Sequence, residues 1–312
     1  MRIEYHRTLI ADQVRIAAFH EALSRVIVSG KTTVADIGTG TGLLAFLASR
    51  LGARKVWAYE TAEIGAVAEK LKSLNRMRTV ELIPGRSTEI IDPERADVVV
   101  TETLGNFALE EFLVETMNDA RARHLKPDGV LIPGIVEQFA CPVVAPRIRD
   151  ELCAWDQIGH GLDFGPARDM SLNNVYIRTL KSHELLQEGL AAQRWDRIDF
   201  YEKNRVARRG TLRWPVERAA AIFGLAVWWT AELVPGVSLT TSPLGAPTHW
   251  EQLFFPALTP IELAAGDTLV AEIRARSTEE GGTDLAWTLA VLGPTGGERE
   301  RQAMSLAKGF LP

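Results

Sequence analysis

Thr33-Val34-Ala35-Asp36-Ile37-Gly38-Thr39-Gly40-Thr41-Gly42 decides how the rest of the chain is read. A short apolar strand runs straight into a turn with glycine at every second position. The apolar stretch 43–51 follows as a helix that stops at Gly52. Glycines permit the tight turn and let a ligand approach the backbone. Alone, this is a strand–turn–helix connection. The flanks give it meaning. Residues 55–60 (KVWAYE) form a second strand, 64–74 a helix, 80–83 a third strand and 96–101 (ADVVVT) a fourth. A long helix is expected over 110–125, stopped by Pro127-Asp128-Gly129, with a fifth strand at 130–132. Alternation at this spacing predicts an α/β fold with a parallel, doubly wound, Rossmann-like sheet. Upstream, Leu9, Val14, Ile16, Phe19, Leu23 and Val26 fall near helical spacing, so one helix is expected over 8–28 with Gly30 as its stop.

The texture changes once, near Pro133-Gly134. Beyond it, short β-like runs broken by Gly and Pro predict a β-rich domain, sandwich or barrel-like. Residues 268–276 and 284–292 flank Glu279-Glu280-Gly281-Gly282 and read as a hairpin. The stretch 147–175 differs: Trp155, Ile158, Leu162, Phe164 and Met170 are scattered among glycine and charge, an insertion that needs a partner surface. The expected division is an N-terminal helical cap at 1–29, a ligand-binding domain at 30–134 and the β-rich domain at 135–312.

Composition narrows the function classes. The 312 residues carry 46% hydrophobic and 24% charged residues, ordinary for a globular chain with a real core. With 35 Lys and Arg against 40 Asp and Glu, the net charge of −5 argues against a nucleic-acid-binding surface as the overall character. Two cysteines, Cys141 and Cys153, read as reduced thiols, and the six histidines show no metal-ligand spacing. The N-terminus has no apolar signal-like region. The longest apolar run, 219–231, has 13 residues and is too short for a bilayer at about 20 per helix. A soluble, cytoplasmic protein with no membrane partner is expected.

A dinucleotide fingerprint is G-x-G-x-x-G; here the pattern is D-x-G-x-G-x-G, from Asp36 to Gly42. That resembles motif I of class I S-adenosylmethionine-dependent methyltransferases. Glu60, 22 residues after Gly38, ends the second strand where an acid takes ribose hydroxyls. Glu102 follows the fourth strand, and Glu111 lies nine residues on, across a loop containing Gly105. Two carboxylates framing a loop suit a cation; equally, Glu110 and Glu111 suit the first turn of a helix.

The E-x8-E spacing is similar to the double-glutamate loop of the protein arginine methyltransferases. Thr248-His249-Trp250 resembles that family's THW loop, and residues 6–15, from His6 to Arg15, its helix over the cofactor. Residues 161–171 resemble the end of its dimerisation arm. The resemblance covers nearly the whole chain in order. It implies that S-adenosyl-L-methionine binds, with Asp36, Gly38 and Gly40 at its methionine end, Arg15 on its carboxylate and Glu60 on its ribose. Ser87, Thr88 and Glu89 fall at the adenine side, where the family's acid is expected one place before Glu89. Glu102 and Glu111 would grip a guanidinium, His249 would pair with Asp12 near the reacting centre as a catalytic pair that helps the later proton loss, and Trp250 would wall the pocket. A homodimer joined through the arm at 147–175 is implied as well.

The chain departs from the family pattern at Thr103, where an aromatic is frequent, at Leu9 and Leu113, where methionines are, and at Tyr5, which stands for a tyrosine pair. Glu110 has no evident role. The acceptor chemistry follows from charge. A guanidinium is planar, permanently cationic and a poor nucleophile. A carboxylate pair binds its fork and draws positive charge onto the bonded nitrogens, which leaves lone-pair character on the remaining one. The expected activity is methylation of arginine in a protein or peptide. Free arginine or another small guanidine is the alternative acceptor, and a non-catalytic binding homologue the alternative of another class. An amide methyltransferase is disfavoured, because Thr101-Glu102-Thr103-Leu104-Gly105 replaces an Asn/Asp-Pro-Pro-aromatic motif.

Overall fold

The computed structural model describes residues 3–308. Five parallel strands form the first sheet: β1 (Thr33–Ile37), β2 (Lys55–Glu60), β3 (Val80–Pro84), β4 (Ala96–Thr101) and β5 (Leu125–Ile132), in the order β3-β2-β1-β4-β5. Every residue of β1 is buried, which is why its apolar residues Val34, Ala35 and Ile37 do not alternate with exposed polar ones. Helices α3 (Leu43–Arg50) and α4 (Gly65–Leu74) make the crossovers after β1 and β2. The strand order reverses beside β1. The register pairs Ile37 with Thr101, so the chain leaves β1 and β4 side by side at their carboxyl ends. In an open α/β sheet this is where a ligand crevice opens.

The expected N-terminal helix is two helices, α1 (Ile3–Ala11) and α2 (Gln13–Val26). Asp12 breaks the run. It sits at φ −77°, ψ 93°, and its carboxylate accepts the Arg15 N–H at 2.9 Å, capping α2. The expected long helix over 110–125 is also shorter. A tight turn at Glu110–Phe112 precedes α5 (Leu113–Asp119), and a widened turn at Ala120–His124 leads into β5. Glu111 and Phe112 have φ of +54° and +60°, so no regular helix passes through them. Within β5 the pairing jumps from Ala96–Leu125 to Val98–Val130, and the Pro127-Asp128-Gly129 turn bulges out of the strand.

The β-rich domain holds two antiparallel sheets. One contains β6 (Ile135–Val143), β7 (Tyr176–Arg178), β8 (Gln193–Asp199), β10 (Ala220–Val234), β11 (Val237–Thr240) and β12 (Gln252–Leu263). The other contains β9 (Ala207–Pro215), β13 (Thr268–Thr278), β14 (Gly282–Leu292) and β15 (Glu298–Ser305). The long apolar run 219–231 lies largely in β10, between β6 and β12. β13 and β14 form the expected hairpin, closing at Thr278–Gly282. Phe255 of β12 packs on Trp287 of β14, ring centres 5.0 Å apart, which joins the two sheets.

The stretch between β6 and β7 carries α6 (Arg147–Leu152) and α7 (Gly165–Leu172). Ile148, Leu152 and Leu172 anchor them on the sheet beside Trp228 and Phe254. Trp155 stacks on Phe164 at 6.3 Å and donates its Nε1–H to Ser171 Oγ. Even so, Trp155, Ile158 and Leu162 are 41%, 45% and 60% exposed, an apolar edge that nothing among the described residues covers. Cys141 and Cys153 are buried free thiols. Among the described residues no helix is long and apolar enough to cross a membrane.

Candidate active site

The glycine turn after β1 is built by Asp36. Its Oδ2 accepts the Thr39 hydroxyl at 2.6 Å and the Ala45 N–H at 3.0 Å, tying the turn to the start of α3. Its Oδ1 is buried without a partner among the described residues. Burial pushes the carboxyl up to about 6. Gly38 has φ +73°, and a Cβ there would stand 2.8 Å from the Thr103 methyl, so both backbone and space require glycine. Glu60, ending β2, accepts the N–H groups of Gly40 and Ala62, each at 2.8 Å. The turn, the acid and the strand end thus form one rigid edge.

Two adjoining cavities open along that edge. The first, about 350 Å³, is lined by Tyr5, Arg15, Asp36, Gly40, Glu102 and Trp250, among others. The second, about 300 Å³, reaches Tyr59, Ser87, Thr88, Phe112 and Thr116. They share Gly38, Glu60, Thr61, Thr103 and Glu111. This elongated cleft suits a ligand with an amino-acid end and a nucleoside end. The orphaned Asp36 Oδ1 and two acids beside the glycine turn fit the ammonium and hydroxyl groups of S-adenosylmethionine.

Arg15 projects from α2 into the first cavity. Its Nε donates to Glu102 Oε2 at 2.8 Å, its Nη2 contacts the same oxygen, and its Nη1 donates to the Leu9 carbonyl at 3.2 Å. That uses three of the five N–H donors of a guanidinium and leaves two for an anion in the cleft. Glu102 is almost buried. Burial raises its carboxyl to about 7, against the pull of Arg15.

The loop after β4 is fastened at each turn. Trp229 Nε1–H donates to the Gly105 carbonyl at 3.1 Å, and Gln138 donates to the Phe107 carbonyl. Glu110 Oε2 accepts the Asn106 N–H at 2.9 Å. Gly105, at φ +60°, lies against Glu110, where a Cβ would meet Oε2 at 2.2 Å. Glu110 is therefore a loop brace, a role that its place beside Glu111 did not disclose. Glu111 faces the cleft and has no hydrogen-bond or ion-pair partner among the described residues. Its carboxyl is raised by desolvation first, then by Glu110 and Glu60.

Asp12 joins the N-terminal helices to the β-rich domain. Its Oδ2 accepts the His249 N–H at 2.7 Å and stands 2.8 Å from His249 Nδ1. Burial alone raises Asp12, but the bonds from Arg15 and His249 pull its carboxyl below the usual range. Burial lowers His249, and Asp12 only partly offsets this. The neutral ring then donates from Nδ1 and keeps its lone pair on Nε2, which is buried without a partner among the described residues. His249 packs on Trp250 at 4.0 Å between ring centres; Trp250, not His249, lines the cleft.

At the nucleoside end the structure brings Ser87 and Thr88 to the cavity wall; Glu89, on the same turn, is not part of either cavity's lining. Two residues absent from the sequence reading hold this turn. Arg123 donates to the carbonyls of Ser87, Thr88 and Ile90, and His124 Nε2 lies 3.0 Å from the Ser87 carbonyl. They stand 33 to 37 residues away, in the widened turn before β5. The positive charge at the end of the expected helix was the sole visible signal. Tyr5 also lines the first cavity, and Glu102 and Glu111 bear on its hydroxyl.

The family described as ribosomal protein L11 methyltransferase (PrmA) matches residues 19–150, and the arginine methyltransferase oligomerization subdomain matches residues 138–290. The chain is 28% identical over 265 residues to protein arginine N-methyltransferase 6 of Xenopus laevis, spanning 80% of this chain and 77% of that protein. It is 24% identical over 288 residues to protein arginine N-methyltransferase 1 of Dictyostelium discoideum, spanning 90% and 84%. Its fold is shared with the Trypanosoma brucei PRMT1 enzyme–prozyme heterotetrameric complex with AdoHcy, at a TM-score of 0.85, 22% identity and 98% coverage of both chains. Arabidopsis thaliana protein arginine methyltransferase 10 gives 0.81, with the same identity and coverage. With a methyltransferase domain and an arginine-methyltransferase subdomain matched in succession around this cleft, the chain belongs to the protein arginine methyltransferase family.

Proposed function

We propose that this chain transfers a methyl group from S-adenosylmethionine to a guanidino nitrogen of arginine in a protein. The observation that carries the reading is the placement of Glu102 and Glu111 on the cleft at the switch point of the sheet, with Glu102 already holding a guanidinium, that of Arg15. Bound S-adenosylmethionine supplies an electrophilic sulfonium methyl. Gly38, Gly40, Asp36 and Glu60 shape its bed, and the two spare Arg15 donors suit its carboxylate. Ser87 and Thr88 face its adenine side.

Glu102 Oε1 and Glu111 offer acceptor oxygens to an incoming guanidinium. They orient it with one nitrogen toward the methyl donor, at a near-attack distance of ~3–3.5 Å. They also offset the placing of one cation beside another. The attacking nitrogen sheds a proton as its bond to carbon forms. Carboxylates raised toward neutrality are suited to receive it. Asp12 and His249 act by fastening α2 to Trp250, which walls the cleft. The exposed edge of Trp155, Ile158 and Leu162 supports a homodimer through the helical arm, in keeping with the name of the matched oligomerization subdomain.

The test is turnover with methyl-labelled S-adenosylmethionine, offering arginine-rich peptides and free arginine in parallel. Label on a guanidino nitrogen of the peptide supports the proposal. Label on free arginine alone moves the acceptor to a small guanidine. No label on either, despite cofactor binding, contradicts the activity.

A further inference from the structure

At the nucleoside end the turn after β3 presents Ser87 and Thr88, neither of which carries a carboxylate. The β-rich domain brings one from elsewhere. The tip of the β13–β14 hairpin crosses to the α/β half, where Glu279 lines the same cavity as Ser87, Thr88 and Glu115. Its backbone N–H donates to Glu115 Oε2 of α5 at 2.8 Å. Its carboxylate pairs with Arg86, the residue that leads the Ser87–Glu89 turn. The hairpin tip thereby touches both sides of the nucleoside cavity, one through α5 and one through the turn after β3. The paired side chains are 41% and 50% exposed. Such a pair adds little to global stability.

We propose that the hairpin tip is the outer wall of the nucleoside end of the cleft, with Glu279 the positioning residue that holds it shut against Arg86. This rests on reading the cleft as the S-adenosylmethionine site. The test is the dissociation rate of S-adenosylhomocysteine from the full chain, by stopped flow, for wild type, Glu279→Ala, Arg86→Glu and the swap Arg86→Glu with Glu279→Arg. Each single change is expected to raise the rate about two- to fivefold, the range of an exposed ion pair, and the swap to restore it. The unfolding midpoint of the ligand-free protein stays unchanged in all four, which separates latching from structural support. Wild-type rates in both single variants, or no recovery in the swap, overturn the inference while leaving the cleft reading intact. No binding of S-adenosylhomocysteine by the wild type overturns both.

Discussion

Glu102 leaves β4 into an ion pair with Arg15, enclosed on nearly all sides; Glu111 stands on a left-handed turn before α5 with no cation against it among the described residues. The two ends of one loop are thus built for different work. At the strand end, charge is compensated within the protein and the geometry is inherited from the parallel sheet. At the turn, a non-glycine residue holds φ +54° and its neighbour +60°, conformations that cost about 1–2 kcal/mol per residue. The loop's braces, Glu110 and Trp229, sustain that strain. On the proposed reading, the difference says which acid an incoming guanidinium would complete: Glu111 lacks a countercharge among the described residues and Glu102 has one.

Truncation separates the two ends most sharply. Either Glu→Ala change is expected to lower kcat/KM by at least ~10²-fold, the loss typical of a preorganised electrostatic contact. Their stabilities should diverge. Glu102→Ala leaves Arg15 buried and unpaired and should cost about 3 kcal/mol in denaturant unfolding. Glu111→Ala should stay within about 0.5 kcal/mol of wild type. Equal stability losses would dissolve the contrast.

The pH profile comes next. Glu102 is raised to about 7, and only its ionised form grips a cation. Below that value it is neutral, so kcat/KM should rise about tenfold from pH 6 to pH 8 and then level off. A profile flat across this window would place Glu102 outside the acceptor site. A smaller effect is expected at the brace: Glu110→Ala strands the Asn106 N–H, costs about 1 kcal/mol and speeds hydrogen exchange at 105–107. Smallest is the stability change of Glu111→Gly, which relieves the left-handed turn and should gain a few tenths to about 1 kcal/mol in denaturant unfolding.

The strand end was legible in the sequence because local chemistry dictates it. An apolar run, an acid, spaced glycines and a helix leave few alternatives, and β1, β2 and β4 begin and end where pattern places them. The β13–β14 hairpin was legible for the same reason, through its Glu-Glu-Gly-Gly tip. The turn before α5 was not. Helical spacing of apolar residues through 110–125 says nothing about positive φ at Glu111 and Phe112, which long-range braces impose. The break at Asp12 was hidden by a helical periodicity that runs across it; its capping bond to Arg15 is local, whereas its bond to His249 spans 237 residues. Arg123 and His124 meet the Ser87–Glu89 turn, and Glu279 the cleft, only through the tertiary fold.

The central claim is that the cleft recognises a guanidinium through its two glutamates. It is tested most directly by calorimetric titration of the S-adenosylhomocysteine-loaded protein with an arginine peptide and its citrulline counterpart, which matches it in shape but lacks the charge. The account predicts that the arginine peptide binds at least tenfold tighter, and that Glu111→Gln removes most of that gap. Equal affinity for the two peptides in the wild type would contradict it.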